Sequence, residues 1–345
     1  MRAARLFCAG SRAKQSWASM NRCLAAIVFI ISLTIVARAR TDAQSQSREG
    51  NPYTIDVSVD MVVLHATVQN SRRVLVSGLG QDDFEVHEDG VLQQIKYFSQ
   101  EDIPVTVGLV VDNSGSMRPK RREVITAALA FARSSNADDQ MFVVSFNEHV
   151  SFGLPPDTAF TDKMATLEVA PSGIAAEGMT ALYDAVAAAL EHLKKGNRDK
   201  KVLLVVSDGG DNASKHNLSE VMSLAGRSEA IIYAMGLFEE EDLDRNPGVL
   251  KRLAKATGGE AFLPKSLTEV VPICERIARD IRKQYTLAFV PTNQRQDGLF
   301  RSIQVKARPS SGQRLVVRTR VGYYAPLKAQ SLPAPGPTNS EAQKH

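Results

Sequence analysis

The chain has 345 residues, 43% of them apolar and 23% charged, which is ordinary for folded protein and leaves room for two modest domains. Its formal net charge of +4 belongs to the start of the chain, because removing Arg2, Arg5, Arg12, Lys14, Arg22 and Arg38 leaves −2. No basic tract remains that would suggest nucleic acid as a partner.

Residues 1–39 carry those six basic residues, with no acid before Asp42, and within them lie the apolar run Leu24–Ala37 and a small-x-small exit at Ala37–Ala39. This predicts a signal peptide or membrane anchor. Cleavage is the favoured reading, since the run falls short of the roughly 20 residues that a span needs. Met20 offers an alternative start. The expected location is therefore periplasmic or secreted, or anchored to the inner membrane facing the periplasm. Cys8 and Cys23 lie in or before this segment, and neither follows the closing small residues as a lipid-carrying cysteine would. Cys274 alone remains, so an internal disulfide in the mature chain is excluded and its own core, or a metal, must hold it.

Residues 40–52 read as a polar linker. Alternation then predicts a β-rich flank over 53–103, with Ile55, Val57 and Val59 on one face of a strand. Phe84 and Val86 precede an Asp89-Gly90 turn with Ile95 beyond it, a hairpin signal.

From 104 to 284 strands alternate with helical segments. The runs VTVGLVV, QMFVVSF, KVLLVVS and IIYAMGLF read as strands covered on both faces. Helices are predicted between them, one with Val124, Leu129 and Ala132 inward and another with Leu182, Val186, Leu190 and Leu193 on one stripe. EAFLP reads as a short strand. A last helix opens with Ser266 and Glu269 at capping-box spacing and buries Val270, Ile273, Ile277 and Ile281, with Pro272 awkward in its first turns. About six strands with intervening helices predict an α/β fold with a doubly wound, mainly parallel sheet. Strand alternation returns over 285–326, and 327–345 is a Pro-rich tail expected to be disordered. Neither β-rich flank is large enough for a comfortable core, so the two are expected to pair into one β-sandwich-like module around an inserted α/β domain.

Asp112, Ser114 and Ser116 follow the first α/β strand, Asp208 follows VLLVVS, and Thr180 precedes a helix. All five are expected at the carboxyl edge of the sheet, where open α/β sheets bind ligands. Two carboxylates and three hydroxyls without imidazole or thiol suit Mg²⁺, Mn²⁺ or Ca²⁺. Taken singly each has a plainer reading: Ser and Asp as turn formers, Thr180 as a helix cap, Asp208 as a turn residue before Gly209-Gly210. Asp184 and Asp211 lie near enough in sequence for a supporting layer around the cluster, or for interaction with a helix start. Phe238–Asp244 reads as a solvated acidic loop, and Cys274 as core. The six histidines, at 65, 87, 149, 192, 216 and 345, show no metal-ligand spacing.

Asp112–Met117 (DNSGSM), Thr180 and SDGGD resemble, in order and context, the motifs of the von Willebrand factor type A family over residues 104–284. The resemblance implies that Asp112, Ser114, Ser116, Thr180 and Asp208 form a metal-ion-dependent adhesion site completed by an acidic side chain of a partner. The loop reads GMT where two glycines before the threonine are frequent in the family. The flanks resemble those of exported acidobacterial proteins carrying a related domain.

The leading expectation is thus a non-enzymatic, metal-dependent protein-binding module. A structural scaffold subunit with a stabilising or degenerate metal site is the alternative. A Mg²⁺-dependent hydrolase ranks lower, since the sequence has no D-x-D pair at the loop, no G-x-S-x-G elbow and no Walker A loop.

Overall fold

A computed structural model describes residues 61–163, 166–167, 176–238, 244–309 and 312–327. The expected signal segment, the linker, the strand positions Ile55, Val57 and Val59, most of the acidic loop and the Pro-rich tail lie outside the described residues. Among the described residues no helix is long and apolar enough to cross a membrane.

The α/β unit is built on a six-stranded sheet of β5 (Val105–Asp112), β6 (Gln140–Phe146), β7 (Val150–Phe152), β8 (Lys200–Ser207), β9 (Ala230–Gly236) and β10 (Ala261–Phe262). Their order is β10-β9-β8-β5-β6-β7, parallel except for β7. All eight residues of β5 are buried, as the unbroken apolar run requires. Helix α1 (Arg121–Arg133) and helix α5 (Val270–Arg282) cover one face, packing Val124, Phe131, Cys274 and Ile277 onto Val107, Leu109 and Val111. Helices α2 (Leu182–Leu193), α3 (Leu218–Arg227) and α4 (Pro247–Thr257) cover the other, packing Leu182, Val186, Leu190 and Leu253 against Val110, Leu203 and Val205. The chain leaves β5 for β6 on one side and returns to β8 on the other, so the sheet's switch point lies at the carboxyl end of β5.

Both flanks supply strands to a second, antiparallel body. One sheet runs β13 (Leu315–Arg318), β1 (Val62–Asn70), β11 (Tyr285–Phe289), β4 (Ile95–Ser99). The other runs β14 (Gly322–Tyr324), β12 (Phe300–Ala307), β2 (Phe84–Glu88), β3 (Val91–Gln93). Leu64, Ala66 and Val68 share one core with Phe84, Val86, Leu287, Phe289 and Val305. The two-sheet module is thus made jointly by residues before and after the α/β unit.

Several local expectations are corrected. Ile95 does not continue the hairpin: β3 ends at Gln93 and Ile95 opens β4, which pairs with β11 in the opposite sheet. The segment from Leu315 to Tyr324 is two strands in two sheets, not one. In α1 the buried face is Val124, Ala127, Ala128, Phe131 and Ala132, with Leu129 only partly buried. The capping box at Ser266 and Glu269 does not form, because Glu269 Oε2 accepts the Lys265 amide while Ser266 Oγ bonds Thr268 Oγ1. A 3-10 turn over Leu267–Glu269 precedes α5 instead. Pro272 falls in the first turn of α5, where no intrahelical partner for an N–H is lost.

Candidate metal centre

Asp112 ends β5 and Asp208 follows β8, its neighbour in the sheet, so the register brings the two carboxylates to adjacent strand ends. Both side chains belong to residues 1% exposed. Asp112 Oδ1 accepts the Ser114 amide at 2.9 Å, and its Oδ2 accepts the Ser207 hydroxyl at 2.6 Å. Asp208 Oδ1 accepts the Gly210 amide at 2.9 Å, and its Oδ2 accepts the Ser116 hydroxyl at 2.6 Å. Ser114 Oγ and Ser116 Oγ stand 3.2 Å apart.

Ser114 precedes a 3-10 turn (Gly115–Met117) that receives no side-chain cap, so its hydroxyl is not spent on capping. The turn after Asp208 depends on Gly209, whose φ is +83° and where a Cβ would lie 2.4 Å from the Asn246 carbonyl oxygen. The plainer reading of Asp208 as a turn residue therefore holds for one of its oxygens only.

Thr180 reaches the same edge on a loop that touches the first: the Gly115 amide donates to the Gly178 carbonyl at 3.1 Å, and the Glu177 amide to the Asn113 carbonyl at 3.0 Å. Thr180 is 6% exposed. Its own amide donates to Asn212 Oδ1 at 2.8 Å, and its carbonyl accepts the Asn212 and Ala213 amides. It is not the cap of α2. The first-turn amides of that helix are taken by others, Tyr183 by Asp211 Oδ1 at 3.0 Å and Asp184 by Ser214 Oγ at 3.1 Å. Asp211 thus interacts with a helix start. Asp184 instead accepts the Lys215 and His216 amides and pairs with His216 Nδ1 at 2.7 Å. Both aspartates brace the loop behind Thr180.

Burial pushes the Asp112 carboxyl up to about 6; bonds from Ser114 and Ser207 oppose that rise, and the charge of Asp208 adds to it. Two desolvated carboxylates at one point are costly unless a positive charge joins them. The donor set is all oxygen, and its separations of 2.6 and 3.2 Å bracket the edge of about 3 Å expected for octahedral oxygens around a small divalent cation. The residues therefore fit a hard divalent ion. Among the described residues no group of three or more His, Cys, Asp or Glu side chains could hold a metal ion, so a cation at this sheet edge would need the hydroxyls as well.

Ser207, Asn212 and Asn147, whose Nδ2 donates to the Glu177 carbonyl at 3.3 Å, were not singled out from sequence. Only the position of Ser207 beside Asp208 carried a signal.

Residues 107–210, which hold all five predicted ligands, match the family model of the von Willebrand factor type A domain. The resemblance carried by the three motifs is thereby shown for this segment. No curated protein matches the chain by sequence. Among solved structures, the chain is similar to a von Willebrand factor type A protein from Catenulispora acidiphila at 13% identity and a TM-score of 0.48, covering 78% of this chain and 74% of that one. It is also similar to an aerotolerance-related membrane protein from Bacteroides fragilis (13% identity, TM-score 0.42, covering 51% of this chain and 98% of that one). A third is proximal thread matrix protein 1 from the mussel byssus with a zinc-occupied MIDAS motif (15% identity, TM-score 0.43, covering 52% of this chain and 48% of that one).

Proposed function

We propose that the chain is a non-enzymatic, metal-dependent adhesion module of an exported bacterial protein, periplasmic, secreted or held at the inner membrane by its N-terminal segment. The observation that carries this reading is the convergence of Asp112, Ser114, Ser116 and Asp208 on one sheet edge, with hydroxyl and carboxylate oxygens 2.6–3.2 Å apart. Ser114, Ser116 and Asp208 would hold Mg²⁺ or Mn²⁺ with Thr180, while Asp112 orients Ser114 through its amide and ties the cluster to Ser207. A bound cation supplies a Lewis-acidic position for one carboxylate oxygen of a partner protein.

The test is capture of envelope proteins on the immobilised chain in Mg²⁺, repeated in chelator and with Asp208→Ala. Proteins retained only by the wild type in Mg²⁺ support adhesion through the centre. Retention unchanged by chelator and by the substitution overturns it.

A further inference from the structure

The sequence GMT places Met179 where the family often has glycine, and the loop nevertheless has a single residue of positive φ, Gly178 at +85°. Met179 stands 54% exposed. What holds this loop is the turn between β6 and β7. Glu148 Oε2 accepts the Met179 amide at 3.0 Å. The same carboxylate fills the space beside Gly178, where a Cβ would lie 1.8 Å from Glu148 Oε2. The adjoining Asn147 accepts the Ala181 amide on its carbonyl at 2.8 Å. Glu148 and Asn147 therefore grip residues 177–181 from one side, and Asn212 grips Thr180 from the other at 2.8 Å. Gly178 in turn accepts the Gly115 amide at 3.1 Å, so the grip passes directly to the loop carrying Ser114 and Ser116.

We infer that Glu148 is a positioning residue for the metal centre: its carboxylate, seated against Gly178 and bonded to the Met179 amide, sets the path of the loop that presents Thr180. This rests on the metal-centre reading and assigns Glu148 no contact with the ion. A bond to one amide needs an acceptor oxygen and no charge, so the amide of glutamine can substitute for the carboxylate. Orienting groups behind a ligand are worth about 10- to 100-fold in metal affinity.

The experiment is a calorimetric Mn²⁺ titration of the full chain as wild type, Glu148→Gln, Glu148→Ala, Glu148→Asp and Gly178→Ala, with hydrogen exchange of the 176–182 segment measured without metal. Glu148→Ala and Gly178→Ala are expected to weaken Mn²⁺ at least about 10-fold and to speed exchange at Met179, while Glu148→Gln stays within about 3-fold of wild type. Unchanged affinity in Glu148→Ala overturns the inference, as does equal loss in Glu148→Gln, which would mean that charge and not the grip is at work. Gly178→Ala strains a backbone φ of +85° as well as that contact, so Glu148→Asp, which keeps the charge but shortens the arm that reaches the Met179 amide, decides the matter if Glu148→Ala does not fold. Should the wild type bind no Mn²⁺, the metal reading fails on its own, and the exchange data still show whether Glu148 holds the loop.

Discussion

Ser116 Oγ donates to Asp208 Oδ2 at 2.6 Å, joining the loop after β5 to the loop after β8 across 92 positions of sequence. That bond lies among groups that gain more from a cation than from each other, since the hydroxyl oxygen can coordinate while its proton turns outward. Ser116→Ala is expected to weaken Mn²⁺ binding by about 10- to 100-fold. Because Ser116 is only partly buried, the metal-free protein should lose no more than about 1 kcal/mol, the usual worth of one hydrogen bond. Parallel calorimetry and urea unfolding check both halves.

Stability should depend on pH in a direction set by Asp112. Its folded carboxyl titrates at about 6 against an ordinary value of 3.8, so between these limits the folded state binds more protons than the unfolded one. Metal-free protein should therefore lose stability as pH rises from about 4 to about 6, by on the order of 3 kcal/mol at most. Mg²⁺ should recover more of it at pH 7 than at pH 5, where protons compete for the same oxygens. Unfolding curves across that range with and without Mg²⁺ test the sign, and Asp112→Asn should flatten the metal-free slope.

A charge pair between half-buried Arg318 and fully buried Asp280 ties β13 to α5. Arg318 of β13 donates from Nη2 to Asp280 Oδ2 of α5 at 2.7 Å and from Nε to the Gly258 carbonyl at 3.2 Å, while Nη1 pairs with Glu260. Burial holds Asp280 above its ordinary range even with Arg318 against it. Arg318→Met should cost about 3–5 kcal/mol, because it strands a desolvated carboxylate. Adding Asp280→Asn to that variant should recover part of the loss, measured by denaturant unfolding. Failure to recover would mean that Arg318 acts through packing and not charge.

Cys274 is fully buried on α5, donates to the Ala127 carbonyl at 3.2 Å, and its thiol is pushed up to about 12 by burial. It should resist a thiol reagent in the native state at pH 8 and react at once in denaturant. Labelling at the native rate of a free thiol would contradict the packing of α5 on α1.

The alternation of period two and the long apolar runs made the elements and the layering readable, because both report burial directly. Alternation cannot say which sheet a strand joins. Ile95 and the stretch from Leu315 to Tyr324 depart from the expected pairing for that reason: the same in-out pattern serves either side of one core. The convergence of these oxygens was readable because D-x-S-x-S is local, and Thr180 and Asp208 fall at predictable sheet edges. Asn212, Asn147 and Glu148 were not, since each acts on a loop distant in sequence and bears no spacing of its own.

The central claim is that the oxygens gathered between Asp112 and Asp208 bind a divalent cation. Its most direct test is calorimetric titration of the full chain with Mg²⁺ and Mn²⁺ beside Asp208→Ala. The account predicts saturable binding at one site in the wild type and none in the variant, with the fold intact by circular dichroism. Absence of binding in the wild type, or undiminished binding in Asp208→Ala, would contradict it.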